Sequence, residues 1–594
     1  MTLEADVQKR VDAWMQEPYD EATRQEVRSL VDAGDEKELY DRFYTDLEFG
    51  TGGLRGVMGA GTNRMNKYTV GRATQGLANY IRKTLGYDAE VSVAIAHDSR
   101  LKSDEFSRDA AEVLAANGIK TYVFDALRPT PELSFAVRYL SATAGIVVTA
   151  SHNPKEYNGY KVYWSDGAQI VPPHDTGIID EVKTIADYSE VKQTPYQDAL
   201  RQGLIEAIGV EVDEAYYKAI LPLSIQPDVC KSEGEKLNIV FTPLHGTGVM
   251  LVPEALNRWG FQNVKVCEAQ SQPDGNFPNA PSPNPEEPQA LEAAIQTAKE
   301  TGGDLVLATD PDADRVGVAV RDGDEFRLLS GNQLASMLVD YVLSMRKNRG
   351  SLPPDARVVT TIVTTELITD ISKKYGVPVD ITLTGFKWIG EKIHQYEEAG
   401  KGKYMVGGEE SYGYLIGTHA RDKDAVVSSC FIAEMLADSV SKGESLPDRL
   451  NRLFKEFGIY EESQISIKFP GAEGKGKMTG IMADLRKNPP EAFVGDKVIE
   501  VTDILEDEIR ELPDGKVIGQ TGLPKSNVLV FRMESGSRVM ARPSGTEPKI
   551  KFYFSICDKK KLPIAKDDEL DKRKSALSDF HAKVREELQK MVEA

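Results

Sequence analysis

Cysteine is scarce in this chain: Cys230, Cys267, Cys430 and Cys557 are the only four in 594 residues, and no two form a CxxC pair. That excludes a disulfide framework or a zinc knuckle and points to a reducing compartment. Long apolar runs are also missing. Nowhere do about 18 consecutive apolar residues occur, so no transmembrane helix is expected. The opening stretch, MTLEADVQKRVDAWMQEPYDEATRQEV, has the polar pattern of an amphipathic helix, without the charged start and apolar core of a secretion signal. A soluble, cytoplasmic protein is the expectation. Basic residues are outnumbered, 72 Lys and Arg against 93 Asp and Glu, for a net charge of −21. Such a surface repels nucleic-acid phosphates and anionic lipid, so neither nucleic acid nor membrane is an expected partner. A small anionic substrate is compatible, because Arg, Lys and backbone N–H groups can build a positive pocket locally.

Two nucleotide signatures are absent as well. No GxxxxGK[ST] cradle occurs, and GTGGLRG (50–56) carries Arg55 where GxGxxG needs its last Gly. The segment reads instead as a flexible turn that presents Arg55 to an anion.

What the chain does contain is repetition. A length of 594 residues exceeds what one core can serve, so several domains are expected. Three segments share the order strand, helix, Gly, strand, later strand with a polar loop. In the first, VSVAIA (91–96) leads into His97-Asp98-Ser99-Arg100, a helix stops at Gly118, TYVF (121–124) follows, and AGIVVTA runs into Ser151-His152-Asn153-Pro154. In the second, LNIVF (237–241) leads into Pro243-Leu244-His245-Gly246, a helix stops at Gly260, NVKV (263–266) follows, and DLVLAT runs into DPDADR (310–315). The third has ARVVTTIV (356–363), a helix stop at Gly376, VPVDITL, and KYMV (403–406) before GGEESYG (407–413). Short β-branched runs and Gly at helix ends predict three doubly wound α/β domains, whose ligand loops lie beyond the carboxyl ends of the strands. After about residue 455, ESQISIKF, DKVIEVTDIL, NVLVFRM and IKFYFSI predict a mostly antiparallel sheet, with helices at 476–486 and 569–592. The expected domains are 1–205, 206–322, 323–455 and, as a C-terminal α+β domain, 456–594, all around one central cleft.

The polar loops carry the chemistry. DPDADR sets Asp310, Asp312 and Asp314 at alternate positions of an extended backbone, so the three carboxylates can converge on one hard cation such as Mg²⁺. A solvated acidic turn is the competing reading. A calcium-binding EF-hand loop is not, because Arg315 and Arg321 stand where that loop needs Gly and Glu. Ser151 closes an apolar strand and can be offered to a cleft as a nucleophile, with no GxSxG elbow around it to suggest an acyl hydrolase. His152 and Lys161 stand near it in sequence and are candidates for managing protons or charge. RPSGTEPKIK (542–551) combines Arg542, Ser544, Gly545, Thr546 and Lys551, the parts of a phosphate site. Glu409 and Ser411 offer an acceptor and a hydroxyl to vicinal sugar hydroxyls, while Arg421 and Lys423 in THARDKD could meet phosphate or act as acid and base.

TASHNP, DPDADR, GEES and RPSGT, in this order over roughly residues 45–555, resemble the α-D-phosphohexomutase family of phosphoglucomutases and phosphomannomutases. The resemblance implies four domains around one cleft, Ser151 as phosphoryl carrier, and Asp310, Asp312 and Asp314 as Mg²⁺ ligands, with the phosphate of Ser151 on the same ion. It further implies Glu409 and Ser411 as sugar contacts, and Arg542, Ser544, Gly545 and Thr546 around the phosphate that is not transferred. TGFKWIG (384–390) is similar to the family's sugar-distinguishing loop, which makes Thr384, Gly385 and Lys387 candidates. Pro311 stands where the family's commonest metal loop has Gly, and the wording is closest to the branch with bacterial phosphoglucomutases and phosphopentomutases. The implied activity is interconversion of glucose 1-phosphate and glucose 6-phosphate, with glucose 1,6-bisphosphate as intermediate and activator. Sugar phosphates are the implied partners. Lys423, Lys161 and His152 stay open as proton movers. The rivals are a phosphomannomutase or phosphopentomutase using the same residues, and a silent sugar-phosphate binding protein. Oligomeric state has no signature in the sequence.

Overall fold

The computed structural model describes residues 3–50, 52–469, 474–544 and 549–593. It divides into two compact units, one of Met1–Gly331, Phe386–Val406 and Ser411–Lys442, the other of Asn332–Gly385, Gly407–Glu410 and Gly443–Ala594.

In the first unit the two opening repeats build sheets of matching order. The strand Ser92–His97 pairs in parallel with Lys120–Phe124 on one side and Ala144–Val148 on the other. The second repeat does the same with Asn238–Thr242 between Asn263–Val266 and Leu305–Thr309. In each sheet the last of these strands then pairs antiparallel with the next: Ala144–Val148 with Tyr157–Trp164, and Leu305–Thr309 with Val316–Asp322. The expected α/β class is therefore found, with antiparallel strands added to the parallel core. These strands lie beyond the stretches whose periodicity announces the repeat.

Local sequence explains the elements. Ala144–Val148 is buried along its whole length, as is Leu305–Thr309, which is why both read as unbroken apolar runs instead of alternating patterns. Gly260 and Gly376 end their helices at φ 113° and 75°, and Gly118 has φ 68°, a region that costs glycine nothing and other residues strain. GTGGLRG departs from its reading as a turn. Gly53–Val57 is an edge strand antiparallel to Tyr157–Trp164, and Arg55 stands on it exposed. Gly53 makes this approach possible, since a Cβ there would lie 1.8 Å from the Tyr160 carbonyl oxygen. The helices Ala5–Trp14, Glu21–Asp32 and Glu36–Phe43 precede this sheet and pack Val7, Val11, Trp14, Val27 and Phe43 into a small core of their own.

The second unit holds the pair Ala356–Thr361 and Val379–Thr382, parallel as expected, with the helix Leu367–Tyr375 between them in sequence. Its C-terminal sheet is antiparallel throughout, in the order Ile459–Lys468, Lys549–Asp558, Arg538–Pro543, Leu529–Met533, Asp496–Asp503, Glu508–Glu511, Lys516–Gly519. The helices Gly474–Lys487 and Asp567–Glu593 accompany it. Ile146, fully buried in the strand that ends before Ser151, tests how much the first core supports that loop. Ile146→Ala is expected to lower stability by about 2–5 kcal/mol, read from the urea midpoint of the earliest unfolding transition.

Candidate active site

Within the first unit the carboxyl ends of the two matching sheets bring Ser151 and DPDADR together. Ser151 Oγ donates to Asp310 Oδ2 across 2.7 Å, although 159 positions separate the two residues. Ser151 is 3% exposed and has φ 52°. A non-glycine residue held there stores on the order of 1–3 kcal/mol of strain, which surrounding contacts must offset. One such contact is local, as the Ser151 amide donates to Thr149 Oγ1 at 2.8 Å. His152 Nδ1 lies 3.1 Å from Ser151 Oγ. Burial, with the Arg315 and Arg55 guanidiniums, pushes the His152 pKa well below the ordinary histidine value, so the ring is neutral.

Asp310, Asp312 and Asp314 are buried, with one oxygen of each within 4.8 Å of the others. Such crowding of acids away from water requires compensation. Lys161 Nζ lies 2.7 Å from Asp312 Oδ2 and 3.2 Å from Asp314 Oδ2. Lys423 Nζ lies 3.2 Å from Asp314 Oδ2 and 3.0 Å from Asp422 Oδ1. Asp310 Oδ1 accepts the amides of Asp314 and Arg315 at 3.1 and 3.0 Å, and Asp312 Oδ2 accepts the Thr130 hydroxyl at 2.8 Å. The acids respond differently. Burial, then Asp314 and Asp312, raise the Asp310 pKa well above the carboxylate range. Burial also acts to raise that of Asp314, but Lys423, Lys161 and Arg315 outweigh it and hold it far down. For Lys161, burial acts to lower the pKa, and Asp312 and Asp314 reverse that into a rise.

The donor set fits a hard divalent cation. Asp312 Oδ1 and Asp314 Oδ1 are buried and accept no hydrogen bond from the described residues, with Arg315 Nε 3.8 Å from the latter, an arrangement that a bound cation would relieve. All the donors are oxygen, which suits Mg²⁺, Mn²⁺ or Ca²⁺ better than zinc or copper.

Other residues expected at the site are placed as follows. Arg55 Nη1 donates to Asn153 Oδ1 at 3.3 Å, beside the Ser151 loop. Arg421 is turned inward. Its fully buried guanidinium donates to the carbonyls of Thr418 and Ala420 and pairs with Glu397, so it braces its own loop and does not face a ligand. Lys387 is half-buried, with Nζ 5.1 Å from the Trp388 ring centroid, and burial lowers its pKa. Ser411 is half-buried. In the second unit Glu409 is buried and accepts the Gly385 amide at 2.8 Å, while Thr384 is half-buried. Arg542 faces Lys551 directly across neighbouring antiparallel strands. The Ser544 amide donates to the Lys549 carbonyl at 2.8 Å. Gly545 and Thr546 lie outside the described residues.

Sequence reasoning missed several residues here. Thr130 opens the helix Thr130–Tyr139 and reaches Asp312 through its hydroxyl, and Tyr163, two residues after Lys161 on one strand face, donates to Asp422 Oδ2 at 2.7 Å. Neither carries a motif. The alternation of the strand was the one signal, since it puts Tyr163 on the same face as Lys161.

Comparison with known proteins agrees with this geometry. Family models described as phosphoglucomutase/phosphomannomutase α/β/α domains I, II and III match residues 46–189, 214–323 and 330–457. A phosphoglucomutase of Staphylococcus haemolyticus is 36% identical over 517 residues, which cover 86% of this chain and 91% of that protein. The chain belongs to the phosphoglucomutase/phosphomannomutase family. A phosphoglucomutase of Staphylococcus aureus is likewise 36% identical, over 539 residues, 89% of this chain and 93% of its own. Among solved structures, the open form of the phosphoglucomutase parafusin from Paramecium superposes with a TM-score of 0.67 at 18% identity, covering 91% of this chain and 96% of its own. A phosphomannomutase structure from Thermus thermophilus gives 0.65 at 22%, over 93% and 100%. These two likenesses establish the shared fold: α/β domains followed by a β-rich C-terminal domain.

Gly413 supplies a test of the site that leaves its polar groups intact. A Cβ at this position would lie 2.0 Å from Lys423 Cδ, so Gly413→Ala must displace the lysine stem. With the circular dichroism spectrum unchanged, kcat is expected to fall by about 10-fold or more as the ammonium leaves Asp314.

Proposed function

We propose that the chain is a phosphoglucomutase that interconverts α-D-glucose 1-phosphate and glucose 6-phosphate through phosphorylated Ser151 and glucose 1,6-bisphosphate. The reading is carried by one observation: the hydroxyl of Ser151 lies 2.7 Å from Asp310, the first of three converging buried acids. Family membership and the named relatives support the activity. Glucose as the preferred sugar rests on the Staphylococcus proteins being named phosphoglucomutases.

In the forward direction O6 of glucose 1-phosphate attacks the phosphorus of phosphorylated Ser151 in line. The new P–O6 bond forms as the bond to Oγ breaks; of the three candidates, the neutral His152 ring can accept the hydroxyl proton, while the ammonium of Lys423 or Lys161 can give one to the departing Oγ. The resulting bisphosphate reorients, and Ser151 Oγ takes the phosphoryl group from O1, leaving glucose 6-phosphate. Asp310, Asp312 and Asp314 would hold Mg²⁺, which when bound neutralises charge on the transferring phosphoryl oxygens. Lys423 and Lys161 hold Asp314 ionised and bring positive charge to the phosphate. Arg542, Ser544, Gly545, Thr546 and Lys551 would grip the phosphate that is not reacting, with Arg55 contributing near Ser151. Glu409, Ser411, Thr384, Gly385 and Lys387 would read the sugar hydroxyls. Glucose 1,6-bisphosphate is the expected activator, because it can rephosphorylate Ser151 whenever the intermediate escapes. Cytoplasmic residence fits the four reduced, buried thiols and the absence, among the described residues, of a helix able to cross a membrane.

Ser151→Ala is expected to fold normally, to show no phosphate adduct in its intact mass, and to lose at least about 10³-fold in kcat; wild-type turnover in this variant would end the proposal. Stripping divalent cations with EDTA should abolish turnover and added Mg²⁺ restore it, whereas undiminished turnover in EDTA would remove the cation from the reaction. Initial rates on glucose, mannose and ribose 1-phosphates decide the sugar, with the glucose compound expected to be fastest.

A further inference from the structure

Arg100 lies in the His97-Asp98-Ser99-Arg100 segment at the end of the first repeat's opening strand, and the chemistry above gives it no part. Its side chain is wholly buried. Nη1 donates to the carbonyls of Pro154 and Tyr157 at 2.9 and 3.1 Å, and Nη2 donates to the carbonyl of Ser151 at 2.6 Å and to that of Asn153. One planar guanidinium thus gathers four backbone oxygens from the stretch 151–157. Its own position is fixed from the other side. Asp98 Oδ2 lies 3.4 Å from Nε, and the Phe277 ring centroid is 5.1 Å from the guanidinium carbon. Gly275 brings the Phe277 loop close, since a Cβ there would stand 2.3 Å from the Leu101 amide nitrogen.

We propose that Arg100 is a positioning residue for phosphoryl transfer. By tying the carbonyls of residues 151, 153, 154 and 157 to one rigid fork, it holds Ser151 in its left-handed conformation and so aims Oγ at Asp310. The inference rests on the reading of Ser151 as phosphoryl carrier. Carbonyls accept hydrogen bonds from many donors, but only a guanidinium offers five in a fixed plane, and a lysine ammonium concentrates its donors at one point. Released from the fork, the loop can relax toward a commoner backbone conformation, which carries Oγ away from its line of attack while leaving the groups that hold the sugar untouched.

The test uses the full-length protein as Arg100→Ala, Arg100→Lys and, as a structural control, Arg64→Ala. Arg64 is another buried arginine, held by Asp41, Glu38 and the carbonyls of Asp41 and Asn63 among the N-terminal helices and the loop that follows them. Steady-state kcat and KM for glucose 1-phosphate, thermal midpoints, and rescue by dilute guanidinium chloride are read for each. Arg100→Ala and Arg100→Lys are expected to lose about 10²-fold in kcat with KM changed by less than about 3-fold. Guanidinium ion should recover about 5-fold or more of the Arg100→Ala loss by occupying the vacated site, and should do nothing for Arg64→Ala, whose kcat stays within about 3-fold of the parent. The proposal is overturned by any of three results: kcat of Arg100→Ala within about 3-fold of the parent, a loss no larger than that of Arg64→Ala at an equal fall in thermal midpoint, or no response to guanidinium.

Should both Arg100 variants fail to fold, Phe277→Leu removes the ring from the guanidinium and keeps the site filled. It should lower kcat by about 3–10-fold at unchanged KM, and an unchanged kcat rejects the proposal. Ser151→Ala separates the two levels of inference. Turnover retained in that variant dismisses the carrier itself, whereas an inactive Ser151→Ala beside a fully active Arg100→Ala dismisses only the clamp.

Discussion

Packing three carboxylates into one buried loop is the constraint around which the first unit is arranged. At an effective dielectric near 20, two full negative charges about 5 Å apart repel by on the order of 3 kcal/mol, and three such pairs would unseat the loop unless it were compensated. The compensation comes from distant parts of the chain. Lys161 arrives on an antiparallel strand of the first sheet, Lys423 on the loop before the helix Ala425–Ser441, Thr130 at the start of another helix, and the amides of Asp314 and Arg315 from the loop itself. The first-repeat and second-repeat sheets are thereby tied at their carboxyl ends, where doubly wound sheets present ligands. Within the second repeat, Thr247 donates its amide to the Pro311 carbonyl at 2.8 Å, and a Cβ on the neighbouring Gly246 would fall 2.4 Å from Pro311 Cα. Pro311 thus packs against the turn that follows the opening strand of its own repeat.

Repetition extends to backbone conformation. Ser151, Ala313 and Tyr412 each take a left-handed φ, at 52°, 52° and 64°, in the loop that follows the third strand of its repeat. None is glycine, so at each of these places the surroundings dictate the conformation over the residue's own preference. The same turn has been given three contents: a hydroxyl, a trio of acids, and a buried acid, Glu409, with the nearby Ser411. A duplicated scaffold explains why loops with no residues in common occupy equivalent positions.

This arrangement also explains what the sequence could and could not disclose. Short β-branched runs, the helix-ending glycines and the i, i+2, i+4 spacing of the acids are local signals, and each leads to the element or cluster that the structure contains. Arg421 was legible as a charge but not as a buried one, because only the folded chain shows its guanidinium turned onto the Thr418 and Ala420 carbonyls. Arg100 and Thr130 work through backbone oxygens or a single hydroxyl, interactions that leave no periodicity and no composition bias. Arg55 was read on a turn because glycines around it suggest one, yet one of them, Gly53, serves close strand approach against Tyr160. The face that Tyr163 shares with Lys161 follows from strand alternation, but only once Tyr157–Trp164 is known to be a strand.

The acids are not equivalent, and the difference bears on the hydroxyl. Asp314 lies between Lys161 and Lys423 and is held ionised by both. Asp310, the acid that receives the Ser151 hydroxyl, is bonded by two amides and the serine itself, and burial with its acidic neighbours drives its pKa up against the opposing charge of Arg315. The carboxyl that receives the Ser151 hydroxyl is therefore one whose negative charge the protein supports far less than that of Asp314. A cation held by the three acids would stabilise that charge more than any other in the cluster, and so would act most strongly on the group that orients Ser151. The same carboxylate that would meet such a cation also receives the Ser151 hydroxyl, which ties charge compensation in the acid loop to the aim of that hydroxyl.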